Sequence, residues 1–189
     1  CVSSVPYMLT GLAVALGFQC GLFNIGAEGQ FYIGALLSVM VGFGITGLPP
    51  FLHIPLAITA GITGGALWGA IPGFLKANFN VNEIITTLML NYIAIYWNNF
   101  WIFDKWSDAG FQMTPTFPKS AWMPRLAELA KDYPQFSGIT LHLGVIFGII
   151  AAVVMWWVFN RSRWGYEIKL IGDNPEAARY AGLNIARNI

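Results

Sequence analysis

The chain has 189 residues, of which 56% are hydrophobic and only 10% charged, and its net charge is +1. Because a soluble domain carries about 25% charged residues, this composition excludes an ordinary soluble protein and indicates one that crosses a membrane several times. The absence of a basic run leaves no electrostatic footprint for nucleic acid. Two cysteines, Cys1 and Cys20, predict neither a disulfide framework nor a metal site. The sequence starts without an initiator methionine or signal peptide, so we expect an internal fragment.

The first predicted spans, residues 8–23 and 31–48, flank a polar, glycine-rich stretch at residues 24–30. This stretch contains Glu28, a rare charge in the first hundred residues. A charged side chain at the centre of a span costs about 2.5 to 3.5 kcal/mol and usually marks a function. The surrounding glycines indicate a broken or re-entrant helix, which is tolerated at membrane depth where it is buried in protein or lines a watery cavity. We interpret the stretch as part of a permeation pathway and leave open whether it lies toward the cytoplasmic side or deeper.

A third span is predicted at residues 54–75, after a turn at Pro49 and Pro50. Its glycines recur every fourth residue, which places them on one helix face and lets a neighbouring backbone approach closely. The sequence therefore predicts a helix-packing stripe formed by Gly61, Gly65, Gly69 and Gly73.

The polar loop at residues 76–83 ends in a helix start, with Asn82 as the cap and Glu83 in the first turn, where the helix dipole favours an anion. The span predicted at residues 84–103 carries Asn91 within its apolar part. An asparagine in hydrocarbon needs a partner, so Asn91 either bonds a neighbouring helix or faces a polar lumen. The sequence favours neither.

Residues 104–140 form the one long hydrophilic connection, with tryptophans typical of a membrane interface and a possible amphipathic helix at residues 123–133. A further span is predicted at residues 141–159. The stretch 160–189 is rich in arginine and lysine, so the positive-inside rule places it in the cytoplasm and the loop 104–140 outside.

A short helix is predicted at residues 174–182 within this cytoplasmic stretch. Asp173 or Asn174 would cap it, Pro175 suits its first turn, and Gly182 ends it. Such a helix is either a docking element or a plain surface helix.

No enzymatic motif accompanies these elements. There is no glycine-rich phosphate loop with its lysine, so we expect no ATP hydrolysis by this chain. His53 and His142 are predicted to be interfacial residues rather than metal ligands or a catalytic base. We predict no catalytic residues and no metal site.

Three segments carry a family resemblance: GLFNIGAEGQ at residues 21–30, NEIITTLMLNYIA at residues 82–94 and GDNPEAARYAG at residues 172–182. In this order they resemble the permease subunit of bacterial ABC importers, in the superfamily that includes the branched-chain amino acid and ribose permeases. They are most similar to its nucleoside or simple-sugar branch.

The resemblance implies a single all-α permease domain over residues 1–189, with about five transmembrane helices, in the bacterial inner membrane. It implies a second permease subunit, an extracytoplasmic substrate-binding lipoprotein, and cytoplasmic ATPase subunits that bind ATP and Mg²⁺. By the same resemblance, the pathway residues are Asn24, Glu28, Gln30 and Asn91. The residues that couple to the ATPase are Asp173, Asn174, Pro175, Glu176, Arg179 and Tyr180.

Three alternatives remain at the level of sequence. In the first, the substrate is a simple sugar such as ribose instead of a nucleoside. In the second, the chain is a secondary transporter or channel, since these also contain broken helices with polar residues at the midplane. A membrane scaffold would explain the glycine stripe without any transport.

Overall fold

The computed structural model describes residues 4–45, 47–107, 113–122, 144–183 and 185, and throughout these ranges the regular structure is helical. Its α-helices are α1 (Ser4–Gln19), α2 (Ala27–Gly44), α3 (Pro50–Phe79), α4 (Glu83–Phe100), α5 (Gly144–Arg161), α6 (Arg163–Asp173) and α7 (Pro175–Tyr180). A π-helical segment, Trp101–Lys105, continues α4, and a 3-10 turn forms at Lys119–Ala121. The predicted all-α class agrees with these elements.

The chain forms two compact units. Unit 1 contains Cys1–Phe23 and Met123–Ile189, and unit 2 contains Asn24–Trp122. In unit 1, α1 packs on α5 and α6, and α6 packs on α7; in unit 2, α2 packs between α3 and α4. A single permease domain stays a prediction.

Large apolar side chains cover the outside of these helices. In α5 the buried residues are Gly144 and Gly148, whereas Val153, Trp156 and Trp157 are exposed. A helix that is apolar all round suits a lipid environment. In the described part of the chain, α3 and α5 are long and apolar enough to cross a membrane, and α1 is apolar but has 16 residues. The count of five spans therefore stays a prediction.

The helix α3 is longer than the span predicted for it. Helix α3 has 30 residues and extends four residues beyond the predicted span 54–75 at each end. Pro50 occupies its first turn, where the missing N–H costs nothing, and Asn80 ends it in a left-handed conformation at φ 51°. The helix predicted at residues 123–133, and His142, lie outside the described residues.

Helix α6 was not predicted, although two signals for it are present in the sequence. The Ser162 hydroxyl accepts a hydrogen bond from the Gly165 N–H at 3.0 Å and so caps the helix. Ile168 and Ile171, three residues apart, are both buried in the core of unit 1 with Cys20 and Ala178. Because the stretch is rich in basic residues, the spacing of these two isoleucines did not lead to the prediction of a helix.

The end of α1 brings α6 close to it. The Leu22 N–H donates to the Gly17 carbonyl at 2.9 Å and the Gly21 N–H to the Phe18 carbonyl at 3.0 Å, and Gly21 has φ +74°, which closes a Schellman motif. A Cβ on Gly172 of α6 would collide with the Gln19 carbonyl. Glycine at this position is what permits the contact between the two helices.

Candidate functional site

The polar stretch at residues 24–30 is where α2 begins in unit 2. The Asn24 side-chain oxygen accepts a hydrogen bond from the Gly26 N–H at 2.8 Å, which forms a local turn, and α2 starts at Ala27. The span was predicted to begin at residue 31, but Glu28 and Gln30 belong to the first turn of the helix. A carboxylate is favoured at this end of the helix dipole, which explains why the helix includes it.

Asn91 of α4 fastens this helix start. Its side-chain oxygen accepts a hydrogen bond from the Gly29 N–H at 2.7 Å, and its side-chain nitrogen donates to the Ile25 carbonyl at 2.9 Å. Asn91 is buried. Of the two roles left open by the sequence, the structure shows the hydrogen bond to a neighbouring helix; the part of Asn91 in a pathway stays a prediction.

The start of α2 lies beside the middle parts of α3 and α4 rather than beside their ends. Asn91 is near the middle of the 18 residues of α4. A Cβ on Gly65 or Gly69 of α3 would contact Gln30, and Gly69 lies about 15 Å from the C-terminal end of α3 at a rise of about 1.5 Å per residue. Within unit 2, the break therefore lies beside the middle of α4 and the central part of α3; its depth in a membrane stays a prediction.

The predicted glycine stripe forms the contact between α3 and α2. A Cβ on Gly61 would lie 3.4 Å from the Gly34 carbonyl oxygen, one on Gly65 would lie 3.3 Å from the Gln30 carbonyl oxygen, and one on Gly69 would lie 3.0 Å from Gln30 Nε2. Half-buried Gly73 continues the stripe along α3. Gly34, which was not predicted, belongs to the same contact, since a Cβ on it would lie 2.8 Å from the Gly61 carbonyl oxygen. The signal for it was its spacing of four residues from Gln30 and from Ser38, which places all three on one face of α2.

The exposed carboxylate of Glu28 and the half-buried amide of Gln30 flank the start of α2. Of the first N–H groups of α2, those of Gly29 and Gln30 donate to Asn91 and to the Gly26 carbonyl, whereas those of Ala27 and Glu28 have no acceptor within the helix. A helix start with a carboxylate and an amide therefore provides both donors and acceptors. Such an arrangement is chemically suited to a neutral solute with hydroxyl and ring-nitrogen groups.

The connection between α3 and α4 is closed by an ion pair. Lys76 Nζ lies 2.9 Å from a Glu83 carboxylate oxygen, and both side chains are largely shielded from solvent. Asn82 caps α4, since its side-chain oxygen accepts from the Ile84 N–H at 3.0 Å. The predicted cap and the position of Glu83 in the first turn agree with this geometry.

His53 lies in the first turn of α3, and its place at a membrane interface stays a prediction. The side chain is fully buried, and its two ring nitrogens lie 2.9 Å from the Ser120 hydroxyl and 3.1 Å from the Val41 carbonyl oxygen. A carbonyl only accepts, so Nε2 carries the proton and Nδ1 accepts from the hydroxyl in the neutral ring. His53 thus ties the 3-10 turn to α2 and α3. Within the described part of the chain, no group of three or more His, Cys, Asp or Glu side chains is arranged for a metal ion.

The predicted coupling residues lie in unit 1. The Asn174 side-chain oxygen accepts from the Glu176 and Ala177 N–H groups at 3.0 and 3.1 Å, so Asn174 rather than Asp173 is the cap of α7. Gly182, at φ +80°, ends the helix as predicted. Ala178 is fully buried while Tyr180 is 97% exposed. One face of the helix, with Glu176, Arg179 and Tyr180, is therefore exposed and points away from the rest of unit 1.

The sequence of this chain is similar to a protein family and to several known proteins. A profile described as branched-chain amino acid transport system / permease component matches residues 1–188. The chain is 41% identical to the guanosine ABC transporter permease protein of Bacillus subtilis, over 97% of this chain and 51% of the relative. It is 37% identical to the glucose ABC transporter permease protein of Haloferax volcanii, over 97% and 49%. It is 35% identical to the nucleoside ABC transporter permease protein of Lactococcus lactis, over 97% and 51%.

The chain spans about half the length of the curated relatives that it matches. No solved structure matches it.

Proposed function

The chain belongs to the branched-chain amino acid transport system / permease component family, and we propose that it is part of a permease subunit that imports nucleosides across the bacterial inner membrane. The observation that carries this proposal is the start of α2 at residues 24–30, held by Asn91 within the height of α3 and α4. Discontinuous helices whose polar ends bind the solute are known from secondary transporters, and a helix start with polar side chains between other helices could bind a solute in the same way.

The names of the relatives support a nucleoside. Two of the three relatives described above are named for guanosine or nucleosides. A nucleoside is neutral and has hydroxyl groups and a hydrogen-bonding base. Polar side chains such as Asn24, Glu28 and Gln30 therefore suit a nucleoside better than a cluster of like charges would. These three side chains, with Asn91, are the proposed pathway residues.

The energy for transport comes from separate ATPase subunits in this proposal. ATP and Mg²⁺ bind to them, and the exposed face of α7 docks on them as a coupling helix. A second permease subunit completes the pathway, and an extracytoplasmic lipoprotein delivers the substrate. Closure of the ATPase pair then moves the helices as rigid bodies between two states, which is alternating access.

A simple sugar is the second candidate. Its support is the 37% identity to the glucose permease protein of Haloferax volcanii. A sugar offers hydroxyl groups to the same side chains but no base, so competition experiments separate the two substrates.

The test is the uptake of radiolabelled guanosine by cells that express the complete transporter with the full-length subunit. Uptake that unlabelled nucleosides block and ribose or glucose does not is the expected result. Uptake blocked by sugars alone would move the substrate to sugars, and a lack of ATP-dependent uptake of either would contradict the importer.

Glu28→Gln tests the pathway in the same cells. It keeps the size of the side chain and removes its charge, so we expect slower uptake with the amount of assembled transporter unchanged. Wild-type uptake by this variant would remove Glu28 from the pathway.

A further inference from the structure

The α2–α3 contact contains a hydrogen-bond donor that the proposed pathway residues do not use. The indole Nε1 of Trp68 in α3 is buried and has no hydrogen-bond partner among the described residues. The indole nitrogen only donates. A buried donor without a partner costs free energy comparable to a lost hydrogen bond, and such groups are rare in native structures.

The backbone carbonyl of the same residue lacks its usual helical donor. In an α-helix the Trp68 carbonyl would accept from the N–H four residues later, and that residue is Pro72, which has no N–H. Trp68 therefore carries both a side-chain donor without a partner and a backbone acceptor without its helical donor. It lies about 5 Å from the midpoint of the 30-residue helix, where lipid supplies no hydrogen bonds.

The position of Trp68 on α3 turns it toward α2. Residues four apart lie on one helix face. Gly64, four residues before Trp68, packs on Leu37 of α2, since a Cβ added to it would lie 2.8 Å from a Leu37 methyl carbon. Pro72, four residues after it, is buried. The Gln30 side chain lies against Gly69, the next residue along α3. A carboxamide with a donor and an acceptor is thus at the same level.

We propose that Trp68 and Gln30 form a solute-binding site between α2 and α3, in which the indole N–H donates to an acceptor on the passing nucleoside. The inference rests on the proposed function and adds a residue to it. The aromatic ring also provides an apolar surface for the base. Since the indole nitrogen is closed to solvent here, the solute reaches it in the state in which α2 and α3 move apart.

Trp68→Phe tests this site, because it removes the N–H and keeps an aromatic ring. Trp97→Phe, in α4 and exposed, is the matched control. Initial uptake is measured in the complete transporter for guanosine and for its 2′-deoxy, 3′-deoxy, 5′-deoxy and 7-deaza analogues, each of which lacks one acceptor. Ratios between these solutes do not depend on the amount of transporter in the membrane.

In the wild type, we expect one analogue to enter more slowly than guanosine. In Trp68→Phe, the ratio of the guanosine rate to the rate of that analogue falls by about fivefold to tenfold, as for the loss of one hydrogen bond. The other ratios, and all ratios in Trp97→Phe, stay unchanged. Equal ratios in Trp68→Phe and the wild type overturn the proposal, including a loss of rate that is uniform over the analogues. Should Trp68→Phe not transport at all, Gln30→Met is measured in its place, and unchanged ratios there overturn the site.

A wild-type transporter that takes up no nucleoside contradicts the proposed function itself. This outcome is distinct from failure of the site, in which the wild type transports guanosine normally and only the variant ratios decide.

Discussion

Asn91 shows how one side chain holds a helix start inside an apolar layer. Both ends of its amide are used, one by the Gly29 N–H and the other by the Ile25 carbonyl. The sequence showed that an asparagine in this position needs partners, but not which ones, because they are more than 60 residues away along the chain. A long-range pairing of this kind is determined by packing.

Asn91→Leu is expected to destabilise unit 2. Leucine has a similar size, but it leaves the buried Gly29 N–H without a partner, at about 1–3 kcal/mol, and also removes the donor to the part-buried Ile25 carbonyl. We expect a lower midpoint of thermal unfolding for the purified subunit in detergent. Asn78→Leu is the control, because Asn78 is exposed and bonds its own helix at the Phe74 carbonyl. Equal midpoints for the two variants would show that the Asn91 bonds contribute little.

Gly29→Ala tests the same contact from the side of α2. A Cβ on Gly29 would lie 2.7 Å from the Asn91 side-chain oxygen and 3.0 Å from its Cα, so α2 and α4 must separate. We expect less folded subunit in the membrane and slower uptake. Gly44→Ala, in the same helix and with open space around its Cβ position, is expected to behave as the wild type. A Gly29→Ala variant as active as Gly44→Ala would mean that the contact yields at little cost.

At the scale of elements, α7 is the helix that the sequence specifies most completely. Its start requires a cap and a proline, and its end requires a residue with positive φ, and Asn174, Pro175 and Gly182 satisfy these needs locally. Only the choice between Asp173 and Asn174 needed the structure. Both residues suit a cap, and the hydrogen bonds from Glu176 and Ala177 distinguish them.

Asn174→Ala is therefore expected to fray α7, at about 1 kcal/mol for the loss of a cap. The measurement is amide hydrogen exchange in Pro175–Tyr180, which should become faster. Asp173→Ala, which removes the neighbouring exposed side chain, should leave exchange there unchanged. The opposite pattern would make Asp173 the cap in solution.

The contact between α2 and α3 was predicted from only one of its sides. The four-residue period of Gly61, Gly65 and Gly69 is visible in the sequence because a helix stacks such residues on one face. The partner surface consists of Gln30, Gly34 and Ser38, which are also four residues apart but include only one glycine. A repeat predicts that a face will be packed, but the tertiary structure decides what packs on it.

At the scale of the whole molecule, the positive-inside rule predicts the topology. It places Asn80 and Tyr180 on the cytoplasmic side and Lys119 outside. In unit 2, Asn80 ends α3, whereas Lys119 belongs to the 3-10 turn that His53 ties to the opposite end of α3. The two positions of unit 2 are therefore at opposite ends of one long helix, as a membrane crossing requires.

Single cysteines test this topology in a full-length subunit from which its own cysteines have been removed. We expect a membrane-impermeant thiol reagent to label Lys119→Cys in intact cells. Asn80→Cys and Tyr180→Cys should be labelled only after the membrane is opened. All three original side chains are exposed, so access is limited by the membrane rather than by packing. Labelling of Tyr180→Cys in intact cells would place α7 outside and contradict the coupling role.

The sequence by itself determined the helical class, the family resemblance, the capped helix α7 and the polar break at residues 24–30. Each of these depends on composition or on residues within about ten positions, where local hydrogen bonds and the lipid environment decide the outcome. The tertiary structure alone decided which helices surround the break, the partners of Asn91, the burial of His53 and the unpartnered indole of Trp68. These depend on which helices meet, and helix contacts are set by close packing between residues far apart in the chain.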